Sequence, residues 1–257
     1  MIVVGILNYK RPIEVVENLV NSVNNQEIDD KYKIVLCTDK SDEERSNISK
    51  YDNIDNSELN VPESKNAIIK YARKKKAKKV IIIEDDVTIN DDEKGTFKRY
   101  INTMNDLKVG ILFCCYTKTS NFVLTKPSPR ILMGYKGLGD AKTDMVSTNR
   151  YEVGDFILIN LETNELLFNE GLSHFELSEY VFRCWQNDLI PALNQFYDIP
   201  DSWEYLGANP GLDSMRNYDE EHLAKEKELV DSIIGDKWKI NNNAEDVVNH
   251  IRTSLGV

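Results

Sequence analysis

The chain has few cysteines and histidines and no long apolar run among its 257 residues. No segment approaches the roughly 20 apolar residues that cross a bilayer. The apolar opening, 2–7, is too short for a signal-peptide core. The four cysteines form no Cys-x-x-Cys pair, and with only three histidines this composition argues against a zinc site. We therefore expect a cytoplasmic protein with reduced thiols and no transmembrane segment.

Basic residues are outnumbered, with 32 Lys and Arg against 43 Asp and Glu and a net charge of −11. Such a chain gains no general attraction to a nucleic-acid backbone. The local exception is a basic cluster at 73–79. It is either the end of a helix, whose cations face the helix dipole, or a patch for an anionic acceptor or membrane surface.

The most informative segment is 80–86, in which four β-branched apolar residues are followed at once by Glu84, Asp85 and Asp86. Such an apolar run predicts a buried strand of a parallel sheet. The carboxylates then lie at its carboxyl end, where ligands bind in open α/β sheets. Crowded carboxylates repel one another, and a divalent cation relieves that repulsion. The segment therefore predicts a metal and phosphate site, with a solvent-exposed acidic turn as the alternative.

Strands and helices alternate along the first half of the chain. Apolar runs predict strands, and helical spacing predicts helices between them, with Ser64 capping the second helix and Asp91 or Asp92 the third. The polar stretch 40–62 is expected to be irregular. This alternation is typical of an α/β fold with a parallel sheet covered by helices. The predicted strands of this half are 2–7, 33–37, 80–83 and 109–116.

Beyond residue 117 the alternation weakens. The glycine-containing stretch 127–149 is expected to be a loop that closes as a lid. A further strand at 153–160 and a helix at 177–185 are expected after it. Two helices, at about 220–234 and 244–255, are expected to end the chain.

Four motifs in the first third of the chain resemble those of GT-A-fold glycosyltransferases, in particular the large inverting family that uses nucleotide sugars. The segment 5–12 is similar to the family's apolar run followed by Pro-Thr-Tyr-Asn-Arg-Pro. Asp39 occupies the place of the aspartate that holds the nucleotide base. The segment 63–67 resembles the family's Ala-Arg-Asn-Ala helix start. The acidic run 84–86 stands where the family has its Asp-x-Asp metal motif, in a Glu-Asp-Asp version similar to that of N-acetylglucosaminyltransferases.

The resemblance implies a GT-A-like, Rossmann-type fold with a mostly parallel sheet covered by helices and a helical C-terminal region. It implies a nucleotide-sugar-binding half at 1–116, an acceptor-binding half at 117–200 and a helical extension at 201–257. It also implies an enzyme, a metal-dependent glycosyltransferase. This enzyme would move a sugar from a nucleoside-diphosphate sugar, expected to be a UDP sugar, to an acceptor hydroxyl with inversion.

The resemblance further implies a set of donor-site residues. Asp86 is expected to coordinate Mn²⁺ or Mg²⁺, which can bridge the two phosphates of the donor. Glu84 would contact the ribose or the metal, and Asp39 the base. Asp85, between Glu84 and Asp86, is also expected to contact the donor, with a side chain that points elsewhere as the alternative, because alternate strand residues face opposite sides. The remaining expected donor contacts are Asn8, Tyr9, Arg11, Lys65, Asn66 and Asp155, the last with a turn role as the alternative.

A second acidic site is expected further along, where the family carries Glu-Asp-x-Asp with a following arginine. Here Glu176 and Glu179 precede Arg183, but Leu177 stands in the place of the usual base. An inverting transferase needs one carboxylate to take the proton of the acceptor hydroxyl. The base is therefore open between Glu176 and Glu179. The alternative is that Glu176 caps a helix and that Glu179 pairs with Arg183.

His174 and His222 are candidates for a third metal ligand, or ordinary polar residues. Trp203 is a candidate for stacking on an acceptor sugar, or a core residue. The acceptor stays open between a glycan, a lipid-linked sugar, a protein and a modified base in DNA, and stereochemistry rests on family analogy alone.

Three other functions compete with the transferase. A phosphoacceptor receiver domain would need an aspartate at the end of the strand predicted at 109–116, and none is there. A sugar-phosphate nucleotidyltransferase would carry a glycine-rich loop after the first strand, and 8–12 contains no glycine. A non-catalytic nucleotide-sugar-binding module stays open because of Leu177.

Overall fold

A computed structural model describes residues 1–39, 48, 50–85, 87–89, 94–113, 156–187, 189, 191–193, 203–205 and 219–234. Strands and helices alternate within the first 113 residues, as expected. The helices are α1 (Ile13–Asn24), α2 (Val61–Lys74), α3 (Thr96–Leu107), α4 (Glu176–Gln186) and α5 (Glu220–Ile234). The strands are β1 (Ile2–Leu7), β2 (Tyr32–Cys37), β3 (Asp52–Ile54), β4 (Lys79–Glu84), β5 (Val87–Ile89), β6 (Ile111–Phe113), β7 (Phe156–Asn160), β8 (Pro191–Leu193) and β9 (Trp203–Tyr205).

The main sheet has seven strands in the order β3-β2-β1-β4-β7-β6-β8. Strands β1 to β4 are parallel to one another where they pair, and β6 pairs with β8 in the same sense. Strand β7 runs antiparallel between β4 and β6. A second sheet joins β5 to β9 antiparallel. The expected mostly parallel, helix-covered sheet is therefore confirmed.

The middle of the sheet is its most buried part. Every residue of β1 and of β4 is buried, because helices cover both faces and the strands consist of near-continuous apolar residues. Helix α2 packs on both strands. Helix α1 buries the apolar stripe predicted from its periodicity, formed by Val16, Leu19, Val20 and Val23.

The starts of two helices differ from the sequence-based predictions. Helix α2 begins at Val61, because Asn60 and Glu63 form a reciprocal capping box. The Asn60 side chain accepts from the amide of Glu63 at 2.8 Å, and the Glu63 carboxylate accepts from the amide of Asn60 at 2.7 Å. The prediction of Ser64 as cap was wrong, since Ser64 lies inside the first turn.

The cap predicted for α3 was also wrong. That helix begins at Thr96, and Gly95 rather than Asp91 or Asp92 precedes it. The stretch expected to be irregular, 40–62, contains strand β3 and the first residues of α2. Its polar composition hid a short strand that pairs with β2 at the edge of the sheet.

The basic cluster begins in the last turn of α2, which contains Arg73 and Lys74, and runs to Lys79 at the start of β4. The structure thus supports the helix-end interpretation, in which cations face the negative end of the helix dipole. Arg73 also donates to the backbone oxygen of Asn164 at 3.1 Å. This contact ties the cluster to the chain after β7.

Several expectations concern other parts of the chain. The loop predicted at 127–149, the helix at 244–255 and the outer ends of the strands predicted at 109–116 and 153–160 lie outside the described residues. The expected helix at 220–234 is confirmed as α5. Among the helices that the structure describes, none has the length and apolar content needed to cross a membrane.

Gly5 allows α2 to approach β1 closely, and its replacement tests that packing. A Cβ at Gly5 would lie 2.3 Å from Cγ2 of Ile68. We expect Gly5→Ala to lower the free energy of unfolding by about 1–3 kcal/mol, the usual cost of overpacking. Urea denaturation of the natural chain and of the variant measures this difference in the free energy of unfolding.

The matched control is Gly95→Ala, where the new Cβ would meet the end of the flexible Arg99 side chain at 3.3 Å. Because the predicted clash is with Ile68, Gly5→Ala should cost less in an Ile68→Ala background than alone. Equal costs in both backgrounds would contradict the close approach.

Candidate functional site

The carboxyl ends of β1, β2 and β4 lie side by side. In the strand register Leu7 is paired with both Cys37 and Glu84. The residues that follow these strands, at positions 8, 38 and 85, therefore leave the sheet at one edge. This is the edge where parallel α/β sheets bind ligands, and it is where the sequence predicts the site.

Asp85 is fully buried and faces the connection between β1 and α1. One carboxylate oxygen accepts from the amide of Tyr9 at 2.6 Å, and the other lies 3.5 Å from Nε of Arg11. Asp85 therefore ties the segment after β1 to the end of β4. Tyr9 and Arg11 lie at the predicted site, where both contact this carboxylate.

A buried cluster of polar side chains joins the same strand ends. The Asn8 amide donates to the Thr38 hydroxyl at 3.0 Å, and Asn56 donates to the backbone oxygens of Asn8 and Cys37 at 3.1 and 3.2 Å. Among the described residues, the side-chain oxygens of Asn8 and Asn56 have no hydrogen-bond partner. Since most buried polar atoms are hydrogen-bonded, these two oxygens are candidates for contact with a ligand or a water molecule. Asp39, half-buried, directly follows Thr38.

Sequence reasoning missed Asn56. It lies within the polar stretch after β2, where the sequence is rich in Asp, Asn and Ser. Nothing in the local pattern distinguishes this asparagine from the others. Only the pairing of β2 with β3 brings it beneath the strand ends.

Lys65 is a buried cation between two buried carboxylates. Its Nζ lies 2.7 Å from Oε1 of Glu84 and 3.5 Å from Oε1 of Glu176. The exposed fractions of Lys65, Glu84 and Glu176 are 1%, 4% and 2%. The ammonium also lies 5.3 Å from the ring centroid of Phe168. Helix α2 thus supplies the charge that links the end of β4 to the start of α4.

One ammonium against two carboxylates leaves a formal charge of −1 on this triad. The low-dielectric surroundings strengthen the interactions between these charges. This charge makes the end of β4 a candidate site for a divalent cation. Glu84 offers the hard oxygen ligands that Mn²⁺ and Mg²⁺ prefer, and Mg²⁺ often takes one or two protein carboxylates besides phosphate oxygens. The residues present fit such an ion, with the adjacent Asp86 outside the described residues.

Asn66 clamps the chain that carries Phe168. Its amide nitrogen donates to the backbone oxygen of Phe168 and to a carboxylate oxygen of Glu170, both at 2.9 Å. Its side-chain oxygen accepts from the amide of Phe168 at 2.7 Å. These contacts hold the Phe168 ring beside Lys65. Hydrogen bonds from Asn66 and Lys70 hold the pKa of Glu170 below its ordinary value.

The two candidate bases have different partners. Arg183 donates hydrogen bonds to both carboxylate oxygens of Glu179, at 2.5 and 2.8 Å. It also donates to the backbone oxygen of Leu167. The pairing of Glu179 with Arg183, which the sequence offered as the alternative to a catalytic role, is therefore present. Glu176 is the first residue of α4 rather than its cap, which is Phe175. Glu176, by contrast, forms an ion pair with Lys65.

The two cysteines that the structure describes are buried and reduced. Burial raises the pKa of Cys37 to about 12, and burial also raises the pKa of Cys184. Neither thiol forms the nucleophilic thiolate near neutral pH.

Among the other predicted site residues, Asp86 and Asp155 lie outside the described residues. The structure brings Asn8, Tyr9, Arg11, Asp39 and Asp85 to one edge of the sheet, and Lys65, Glu84 and Glu176 together at the end of β4.

No protein-family model matches this chain, and no curated protein matches its sequence. Solved structures match it in fold. S. aureus TarS 1–349 in complex with UDP-GlcNAc aligns over 98% of this chain and 72% of its own, with TM-score 0.65 and 13% identity. The mannosyltransferase PcManGT from Pyrobaculum calidifontis, in complex with GDP-Man and Mn²⁺, aligns over 97% of this chain and 68% of its own, with TM-score 0.58 and 12% identity.

A third structure is more distant. It is a Bacillus anthracis protein whose assigned activity is that of a glucose-1-phosphate thymidylyltransferase, in complex with a sucrose. It aligns over 87% of this chain and 99% of its own, with TM-score 0.50 and 11% identity. Identities this low show the fold alone. The expected GT-A-like, Rossmann-type fold is thereby confirmed.

Lys65→Met tests the buried triad. The substitution removes the ammonium and leaves Glu84 and Glu176 buried beside each other. We expect it to lower the free energy of unfolding at pH 7 by about 3–5 kcal/mol, the usual cost of breaking a buried ion pair. Adding Glu176→Gln to Lys65→Met should recover part of the loss, because it removes one of the two buried charges.

The matched control is Lys70→Met on the same helix. Its ion pair with Glu170 is exposed on both sides, so a loss below about 1 kcal/mol is expected. Urea denaturation of all four chains provides the comparison. A Lys65→Met chain as stable as the Lys70→Met chain would refute the structural role of the triad.

Proposed function

We propose that this chain is a glycosyltransferase that moves a sugar from a nucleoside-diphosphate sugar to an acceptor hydroxyl. The observation that carries the proposal is the triad of Lys65, Glu84 and Glu176 at the carboxyl end of β4. A GT-A-like fold surrounds this triad, and that fold is shared with proteins solved in complex with UDP-GlcNAc and with GDP-Man. Cation-binding and proton-accepting carboxylates thus lie in one small region.

The donor diphosphate would bind at the end of β4. Glu84 and the neighbouring Asp86 would hold Mn²⁺ or Mg²⁺ there. Such an ion, when bound, offsets the charge that develops on the departing diphosphate. Lys65 would keep Glu84 in position. Asp39 and the buried Asn8 amide, at the ends of β2 and β1, would face the nucleotide base.

Glu176 would act as the base. As the acceptor oxygen forms its bond to the anomeric carbon, the bond from that carbon to the phosphate oxygen breaks. The electron pair leaves with the nucleoside diphosphate, and the hydroxyl proton passes to the Glu176 carboxylate. Lys65, whose Nζ lies 3.5 Å from that carboxylate, would hold it in position. A single displacement of this kind inverts the anomeric configuration.

The donor nucleotide is proposed to be uridine diphosphate. The support is the sequence resemblance together with the likeness in fold to TarS, solved with UDP and with UDP-GlcNAc. Guanosine diphosphate is the second choice, because PcManGT was solved with GDP-Man. A glycan, a lipid-linked sugar, a protein and a modified DNA base all offer the hydroxyl that this reaction needs.

A sugar-phosphate nucleotidyltransferase is the second candidate. The likeness to the Bacillus anthracis structure favours it, and the absence of glycine from the segment 8–12 argues against it. The products separate the two. A nucleotidyltransferase makes sugar nucleotide and pyrophosphate from a nucleoside triphosphate and a sugar 1-phosphate. A glycosyltransferase releases a nucleoside diphosphate.

The proposal predicts binding of a nucleoside diphosphate that depends on a divalent ion. Isothermal titration calorimetry with UDP and with GDP, each with and without Mn²⁺, measures it. We expect Asp86→Ala to abolish the metal-dependent part of binding without changing the melting temperature. Asp106→Ala, which removes an exposed carboxylate on α3, is the control and should bind as the natural chain does.

Absence of binding to both diphosphates, with and without Mn²⁺, would overturn the proposed function. Binding without hydrolysis of the donor sugar or transfer from it would identify a non-catalytic module. Binding of a nucleoside triphosphate with release of pyrophosphate would identify the nucleotidyltransferase.

The assignment of the base predicts unequal effects for the two glutamates. Glu176→Gln should lower kcat by roughly 100- to 10,000-fold, the usual contribution of a general base, while affinity for the diphosphate stays within a few-fold. Glu179→Gln should mainly lower the melting temperature, because it breaks the bidentate pair with Arg183. The reverse pattern, with turnover lost only in Glu179→Gln, would move the base to Glu179.

A further inference from the structure

A second group of ligand-type side chains joins the start of α4 to α5. His174 lies two residues before α4, and His222 and Glu226 lie four residues apart on α5, so they share one face of that helix. Nε2 of His222 is 2.8 Å from one carboxylate oxygen of Glu226, and Nδ1 of His174 is 3.8 Å from the other. Two imidazoles therefore meet on one buried carboxylate.

The separations match those of a metal-ion site. Three ligand atoms, one from each side chain, all lie within 4.8 Å of one another. Bonds of about 2.0–2.2 Å from a tetrahedral zinc ion to nitrogen or oxygen place neighbouring ligand atoms roughly 3.3 Å apart. The two measured separations lie on either side of that value. Small side-chain rotations would bring the three atoms onto one ion.

The carboxylate of Glu226 is held in place before any ion binds. Its Oε1 accepts from the amide of Ser173 at 2.8 Å, and its Oε2 accepts from the amide of His174 at 3.0 Å. Burial raises the pKa of Glu226, but the hydrogen bonds from Ser173 and from these amides outweigh it, so the pKa lies below its ordinary value. The two backbone amides thus fix the carboxylate beside both imidazoles.

The Ser173 hydroxyl lies among the three side chains. Its Oγ is 2.7 Å from Oε1 of Glu226, 2.8 Å from Nδ1 of His174 and 3.2 Å from Nε2 of His222. The hydroxyl has one proton to donate, which suits Glu226, and it can accept from an imidazole N–H. The same atoms can thus form a hydrogen-bonded clasp without an ion, and an experiment must separate the two arrangements.

We propose that His174, His222 and Glu226 form a binding site for one divalent transition-metal ion of the zinc type. Imidazole nitrogen selects such ions over Mg²⁺ or Ca²⁺, which prefer oxygen ligands. Three protein ligands leave a fourth position for water or for the Ser173 hydroxyl. None of these ligands belongs to the carboxylate site at the end of β4. The inference does not depend on the proposed transferase activity.

Such an ion would connect α5 to the segment that carries Glu176. Helix α5 packs against α4, and Glu226 already contacts the two backbone amides just before that helix. An ion bound to both histidines would strengthen this contact. The bound ion would therefore hold α5 against the segment that precedes α4.

Titration of the full chain with Zn²⁺ and with Co²⁺, after removal of bound metal, tests the proposal. We expect calorimetry to resolve one ion bound at this site, apart from any ion held at the end of β4, together with a rise in melting temperature. Bound Co²⁺ should show the visible absorption of a low-coordinate ion with nitrogen ligands. His222→Gln and His174→Gln each keep a hydrogen-bonding side chain but lose the imidazole ligand. Each should weaken binding by more than about tenfold, since even residues that only hydrogen-bond to a metal ligand contribute roughly 10–100-fold to affinity.

Two variants serve as controls. Glu221→Gln removes an exposed carboxylate on α5 that pairs with Lys225, and it should bind Zn²⁺ as the natural chain does. Glu84→Gln removes a carboxylate of the other site and should leave the Zn²⁺ ion at His174, His222 and Glu226 bound. Failure of the natural chain to bind Zn²⁺ or Co²⁺, full binding in both histidine variants, or loss of binding in Glu84→Gln instead would overturn the proposal. Failure of nucleotide binding would leave this result untouched.

Discussion

A lysine ammonium that water cannot reach is the interaction on which the rest of the site depends. Lys65 projects from α2 to Glu84 at the end of β4 and to Glu176 at the start of α4. Buried charges are tolerated only when opposite charges are close. The helix and the strand end must therefore keep their positions, or all three groups lose their compensation. This constraint aligns two carboxylates that are far apart in the sequence.

Parallel pairing turns this local constraint into a site. Because β1, β2 and β4 end in register, the residues that follow these strands lie at one edge of the sheet. Asp85 then ties the segment after β1 to that edge through Tyr9 and Arg11. The fold can resemble that of TarS at 13% identity because such a sheet requires an apolar pattern rather than particular residues.

The main elements could be predicted because their signals are local. Strands β1, β2 and β4 are short apolar runs, and the buried stripe of α1 follows the helical period. The predicted start of α2 was wrong. Ser64 is a plausible capping residue by type, but Asn60 and Glu63 form a reciprocal capping box at the start of the helix. Strand β3 escaped prediction because its three residues are stabilised by pairing with β2 rather than by their own composition.

By itself, the sequence determined the acidic strand end, the alternation around it and the resemblance that predicted a GT-A-like fold. These features depend on neighbouring residues and on periodicity, both of which one chain displays. Only the tertiary structure decided that Lys65 forms ion pairs with Glu84 and Glu176 and that Arg183 forms one with Glu179. It likewise brought two of the three histidines to one carboxylate, although their number argues against a zinc site. Contacts of this kind depend on how helices dock, and no local pattern records that geometry.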